Sequence, residues 1–311
     1  MRILVIGAGA LGGYFGACLV RAGRDVTFLV RPRRADQLAQ DRLCVVSPNG
    51  DFDVPAATVL AADLRSHFDL ILLGTKSYSL HEAMEQFAPA VGPTTAILPI
   101  LNGMTHLDAL SARFGAGHVL GGMALISATL DAAGRVVLMF PNHDLIFGEI
   151  AGGFSERTAA LSALFEGCGF NPKASDNVLQ DMWEKWANLG VGASITCLMR
   201  APIGDTLAAP GGRELILRLR AECWAVATAA GFPPRPTFTE FVTGIFTTTG
   251  SPLKASMLRD IERGSPTEGD HILGELKSRA RALGVETPVL DLACIHVAAY
   301  EAGRAREAAT A

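Results

Sequence analysis

Six residues near the N-terminus, Gly7-Ala8-Gly9-Ala10-Leu11-Gly12, restrict the possible folds more than any other part of the chain. A glycine string alone says little in a sequence with 33 glycines. Its flanks give it meaning. Residues 2–6 (RILVI) form a short apolar, β-rich run that ends where the glycines begin. Residues 10–22 then carry helical spacing, with Leu11, Phe15, Cys18 and Leu19 on one face, and Gly23 stands where a helix would stop. A second apolar run, Val26–Val30, follows. This is a β-α-β unit of about 30 residues with a phosphate-cradling turn after its first strand. Gly7 allows the tight turn, Gly9 lets a pyrophosphate approach the backbone, and Gly12 lets the helix pack close to the sheet. The helix N-terminus at Ala10 and Leu11 offers oriented N–H groups to the phosphates.

The rest of the chain extends this pattern and then abandons it. Strand-like runs at 43–46, 52–54, 70–73 and 95–99 alternate with helical segments around 80–87 and 104–114. That alternation predicts an α/β fold, a Rossmann-type doubly wound parallel sheet. Runs at 124–130, 136–140 and 145–147, broken by Ala133-Gly134 and Pro141-Asn142, read as antiparallel strands that extend the sheet. Residues 154–167 read as a helix and 170–173 as a last strand. Helical patterns at 178–199, 212–230, 236–247, 268–283 and 288–302 fill what remains. The expected organisation is a dinucleotide-binding domain over 1–174 and an all-helical domain over 175–311.

Composition removes several classes of function. A net charge of −4 without a basic stripe argues against a nucleic-acid partner. The six cysteines and seven histidines lack metal-ligand spacing, so no metal site is expected, and the thiols read as reduced. The apolar start breaks at glycines rather than running on as a signal peptide, and no stretch is long enough for a membrane span. A cytoplasmic protein without a membrane partner is the expectation. Leu290, Leu292, Ile295 and Val297 are apolar enough for a homodimer face, although such residues usually belong to a core.

The end of the second strand selects the cofactor. An acidic residue there binds the ribose 2′-OH of NAD. This chain has Arg31, followed by Pro32, Arg33 and Arg34. A guanidinium suits a 2′-phosphate, so NADP(H) is expected, with a solvated basic loop as the plain alternative. Asn102, before Gly103, sits where a strand ends, the place where α/β sheets bind ligands. Lys185 lies early in an otherwise apolar helix, which favours partial burial and a lowered pKa. Read alone, the plainer reading is a surface helix lysine beside Glu184. Glu268, after Thr267, could serve only the dipole of a helix start.

These residues together resemble the ketopantoate reductase family (2-dehydropantoate 2-reductase) over nearly the whole chain. The resemblance rests on 7–12, on Thr75-Lys76, on Leu101-Asn102-Gly103-Met104 and on Trp183-Glu184-Lys185. It continues through Ser256-Met257-Leu258-Arg259-Asp260-Ile261 and Thr267-Glu268. It implies NADPH-dependent reduction of a 2-oxo acid, ketopantoate, to pantoate without a metal, on the path to pantothenate and coenzyme A. It also implies that Lys185 is the catalytic lysine, donating a proton to the developing alkoxide. Asn102 would lie at the nicotinamide and substrate, and Lys76 at the active-site cleft. Ser256 would meet the substrate carboxylate, and Glu268 its polar end.

The sequence also departs from the family pattern. Many members carry a substrate-contacting Asn four residues after the lysine; here that position is Leu189, with Asn188 one place earlier. Where another Asn is common, this chain has Gly192-Ala193-Ser194. A less polar pocket leaves open a second reading, a D-2-hydroxyacid dehydrogenase for a more apolar 2-oxo acid.

Overall fold

Five apolar segments line up side by side in the computed structural model, which describes residues 1–310. They are β1 (Arg2–Ile6), β2 (Asp25–Leu29), β5 (Ala57–Val59), β6 (Phe68–Leu73) and β7 (Val91–Pro99), in the order β5-β2-β1-β6-β7 with every neighbouring pair parallel. Between them run α1 (Ala10–Arg21), α2 (Pro32–Asp41) and α3 (Leu80–Phe87). The doubly wound parallel sheet read from the sequence is therefore present, and so is the helical C-terminal region.

The strands at 43–46 and 52–54 do not belong to that sheet. They are β3 (Leu43–Val46) and β4 (Phe52–Val54), and they join a second sheet with β8 (Gly121–Leu130), β9 (Val136–Gly148) and β10 (Asn171–Ser175). The expected extension of one sheet is thus a separate layer. The helix α1 explains why. It is buried without a break from Gly12 to Leu19, because it has a sheet on each side. A Cβ at Gly13 would come 2.8 Å from Val136 of the second sheet, and one at Gly16 would strike Phe28 of the first. An apolar α1 needs both covers, and β3, β8 and β9 supply the second.

Pro141-Asn142 does not end a strand, as the sequence reading had it. Pairing passes from Ala128↔Leu138 to Ile126↔His143, so residues 139–142 bulge from β9 while the strand continues. Proline lacks a ladder donor, and a bulge is where that lack costs least. The basic run after Arg31 is likewise not a loop but the start of α2, with Pro32 in its first turn. The short helices α7 (Ile203–Ala208) and α10 (Ser256–Glu262) were not read from the sequence.

The chain divides into two compact units. One comprises Met1–Leu101 and His106–Leu179, which includes α4 (Thr105–Phe114) but for its first residue, and α5 (Glu156–Phe165). The other comprises Asn102–Thr105 and the chain from Gln180 onward. The second unit is helical: α6 (Val178–Met199) but for its first two residues, then α7, α8 (Gly212–Ala229), α9 (Pro236–Thr247), α10, α11 (Glu275–Ala282) and α12 (Pro288–Thr310). Two buried carboxylates organise it. Glu222 of α8 accepts the Val289 and Leu290 N–H groups at 3.0 Å, satisfying orphan donors at the start of α12. Glu184 of α6, 2% exposed, accepts the backbone N–H and the guanidinium of Arg235 just before α9.

On α12 the four apolar residues singled out above separate into two kinds. Leu290 and Val297 are core, while Leu292 and Ile295 are 57% and 60% exposed. Among the described residues no helix is long and apolar enough to cross a membrane.

Candidate active site

The glycine turn of the first unit is built from backbone. Gly7 donates its N–H to Leu29 O at 2.9 Å, which ties the turn to the end of β2. Its φ of +83° lies in the region that favours glycine. Gly9 caps α1, and its carbonyl accepts the Gly13 N–H at 2.8 Å. A Cβ on Gly12 would overlap the Gly7 carbonyl oxygen, and a Cβ on Gly74 would lie 2.9 Å from Gly12 N. Helix, turn and strand end therefore touch backbone to backbone. Gly9 is the exception: a Cβ there would meet no protein atom within 4 Å. Packing does not demand glycine at this position, whereas a ligand lying on the backbone would. The residues present fit a dinucleotide pyrophosphate, with Ala10 and Leu11 opening the helix beside it.

Three cations of the first unit belong to the predicted site or its neighbourhood. Arg31 follows β2 as the cap of α2 and pairs with Glu82 of α3, Nη2 to Oε2 at 2.6 Å. Arg34 has a different place. Its Nε donates to Ala8 O at 3.1 Å, and its Nη1 donates to Gly134 O at 2.9 Å and Gln37 Oε1 at 2.7 Å. It thus braces the glycine turn against the β8–β9 hairpin. Its Nη2 is buried with no hydrogen-bond partner, and burial depresses its pKa. Lys76 is exposed three residues beyond β6, where it caps the short turn Ser77–Ser79.

Side chains make the site of the second unit. Lys185 lies two turns into α6, and its Nζ donates to Asn102 Oδ1 at 3.1 Å. As a residue it keeps some exposure, but burial of its ammonium pushes the pKa down to about 8. Glu268 opposes that shift through its charge; its side chain is buried. So Asn102, Lys185 and Glu268, more than 80 residues apart at each step, act on one ammonium. Ser256 opens α10 at intermediate exposure; the preceding Ala255 N–H reaches Thr196 Oγ1 of α6 at 3.4 Å.

Sequence reasoning missed His271. Its Nε2 lies 2.7 Å from the backbone oxygen of Asn102. A carbonyl can only accept, so this nitrogen carries the proton. His271 sits in a π-helical turn, Asp270–Gly274, one turn past Glu268. Within this turn the Ile272 carbonyl accepts the indole N–H of Trp186, the residue next to Lys185, at 3.0 Å. Gly103 has φ +79°, and a Cβ there would come 3.0 Å from the His271 ring. No periodicity in the sequence marks a π turn. The one available signal was a histidine one helical turn beyond Glu268.

Leu189 lies four residues after Lys185 on α6, hence on the same face. Asn188 keeps a buried Oδ1 with no hydrogen-bond partner, as does the Ser194 hydroxyl.

Comparison with known proteins adds the family. A family model described as ketopantoate reductase PanE/ApbA matches residues 3–152, and its C-terminal counterpart matches 177–301. The uncharacterized oxidoreductase YkpB of Bacillus subtilis is 36% identical over 302 residues, 97% of this chain and 99% of that protein. The crystal structure of 2-dehydropantoate 2-reductase from Geobacter metallireducens is 30% identical, with a TM-score of 0.87 over 96% of this chain and 99% of that one. A ternary structure of D-mandelate dehydrogenase with NADH and anilino(oxo)acetate shares the fold at 23% identity and a TM-score of 0.87, covering 98% of this chain and 99% of that one.

Proposed function

The chain belongs to the ketopantoate reductase family of oxidoreductases, and from that premise we propose that it reduces 2-dehydropantoate to pantoate with NADPH, in the cytoplasm, towards pantothenate and coenzyme A. The observation that carries this reading is Lys185: an ammonium with its pKa pushed down to about 8, held by Asn102 Oδ1 and faced by the charge of Glu268.

The chemistry needs such a group. NADPH, when bound, supplies the hydride that the carbonyl carbon takes up. Negative charge then develops on the carbonyl oxygen, and a nearby ammonium both stabilises it and gives it a proton. A donor with a pKa near 8 is mostly protonated at neutral pH yet releases its proton more readily than an ordinary lysine. Asn102 occupies one N–H of Lys185 and so fixes its direction, leaving two donors. Glu268 favours the charged form of the lysine. Ser256 is assigned to the substrate carboxylate, following the family resemblance.

In the first unit, Gly7, Gly9, Ala10, Leu11 and Gly12 are assigned to the pyrophosphate and Arg31 to the 2′-phosphate, with Lys76 beyond the end of β6. Arg34 acts at one remove, by bracing the turn at Ala8.

Leu189 supports a second reading, because it places an apolar side chain on the face of α6 that carries Lys185. In that reading the substrate is a more apolar 2-oxo acid. Steady-state rates of NADPH oxidation over a panel of 2-oxo acids decide between the two. The first reading expects the highest kcat/KM for 2-dehydropantoate; a higher value for a branched or aromatic 2-oxo acid establishes the second. No turnover with any of them refutes both.

A further inference from the structure

The guanidinium assigned to the 2′-phosphate already has a carboxylate on it. Glu82 comes from the first turn of α3, 51 residues after Arg31, and its Oε2 accepts from Arg31 Nη2 at 2.6 Å. The other carboxylate oxygen, Oε1, accepts from Gln86 Nε2 one helical turn later at 2.9 Å. Glu82 is therefore tied to its own helix as well as to Arg31.

We propose that Glu82 is a specificity-determining residue for the cofactor: it competes with the 2′-phosphate for Arg31 and so narrows the preference for NADP(H) over NAD(H). This rests on the assignment of Arg31 made above.

The physical argument has three steps. An acidic side chain at the end of the second strand selects NAD by accepting from the ribose 2′-OH, and an arginine selects NADP. The sequence shows only the arginine there; the fold brings the carboxylate to it from a later helix. Both charges therefore stand where the two cofactors differ. Next, the pair is easily opened. Arg31 and Glu82 are 69% and 53% exposed, and an exposed pair of this kind contributes little. NADPH is therefore not shut out. Finally, opening the pair does not remove the carboxylate. Gln86 keeps Glu82 in place, so a phosphate on Arg31 would lie close to a like charge. Specificity is a difference of two affinities, and here the repulsive element acts on NADPH alone. NADH, without the phosphate, leaves the Arg31–Glu82 pair intact.

The test is direct binding, free of turnover. Dissociation constants of NADPH and NADH are measured by fluorescence titration for the wild type, Glu82→Gln and Arg31→Ala. Glu82→Gln removes the charge but keeps the length of the side chain. The expected result is NADPH bound about 2–5-fold more tightly by Glu82→Gln, with NADH changed less than about 1.5-fold. The gain should shrink at high salt, because both groups are exposed. If Glu82→Gln leaves the NADPH-to-NADH ratio unchanged while Arg31→Ala weakens NADPH, the proposal is wrong and the assignment of Arg31 stands. If Arg31→Ala leaves NADPH binding unchanged, the assignment itself fails and takes the proposal with it.

Discussion

The glycine turn of the first unit and the lysine cluster of the second are constructed from different materials. The turn is backbone against backbone: Gly12 lies on the Gly7 carbonyl, and Gly74 lies on Gly12. Its function is a shape, fixed by which residues lack a Cβ. The cluster is side chain on side chain, gathered from a loop at Asn102, the middle of α6 and the π turn near Glu268. Its function is a charge state, fixed by burial. A shape is damaged by adding atoms, and a charge state by removing them. Substitutions in the two places should therefore fail in different observables.

The largest effect is expected at Lys185. Lys185→Ala removes the proposed proton donor, and losses of about 10²–10⁴ in kcat are typical for a general acid. Binding of NADPH should change far less than kcat, since none of the residues assigned to its phosphates is altered. Single-turnover reduction and a fluorescence titration check the two halves. Near-normal kcat in this variant would remove Lys185 from the mechanism. Equal damage to both observables would erase the contrast between the two regions.

Two of the turn's glycines sharpen the comparison from the other side. Gly12→Ala forces a Cβ onto a carbonyl oxygen. Overpacking of this kind costs about 1–3 kcal/mol, and the melting temperature should fall by several degrees. Gly9→Ala meets no protein atom, so stability should stay within about 0.5 kcal/mol of wild type. Yet NADPH binding should weaken about tenfold or more, because the new methyl lies where the proposed site has the pyrophosphate approach. Thermal denaturation beside cofactor titration separates the two. A Gly9→Ala variant that binds NADPH normally would show that the space over Gly9 is not the phosphate cradle.

This difference in construction also decided what could be read from the sequence. The glycine turn lies within one β-α-β unit, so strand, glycines and helix are neighbours in sequence as in space. Lys185, Asn102 and Glu268 are far apart, and no local pattern announces that they meet; the family resemblance carried them. His271 escaped because a π turn has no periodic signature, and Glu82 because the acidic partner of Arg31 comes from another helix. The second sheet was misplaced for a related reason. The runs at 43–46 and 52–54 look like any other strands, and what assigns them is the far side of α1, which only the packed structure displays.

Acidity gives a prediction of intermediate size. With Lys185 as the proposed proton donor, reduction needs the ammonium, so kcat should be level below pH 8 and fall about tenfold per pH unit above it. Oxidation of the hydroxy acid needs the neutral amine and should rise through the same region. The shift arises from burial and is opposed by the charge of Glu268, so Glu268→Gln should move the break to lower pH. A break that stays near the ordinary lysine value of about 10.4 would mean that the ammonium is not buried in the working enzyme.

The smallest effect is expected at His271, where the two kinds of construction meet. Its N–H holds a backbone carbonyl, that of Asn102, whose side chain in turn holds Lys185. His271 acts on Lys185 through the Asn102 that it holds, so it is a positioning residue. A neutral hydrogen bond contributes about 0.5–1.5 kcal/mol, which sets the expected loss for His271→Ala at about 3–10-fold in kcat. NADPH affinity should hold, and the break near pH 8 should shift as Asn102 loosens its hold on the lysine. His271→Gln retains a side-chain donor and should restore part of the rate. If instead the melting temperature falls while kcat and the pH break stay put, the π turn serves only to pack the helices. Lys185 would then be oriented by Asn102 without help from behind.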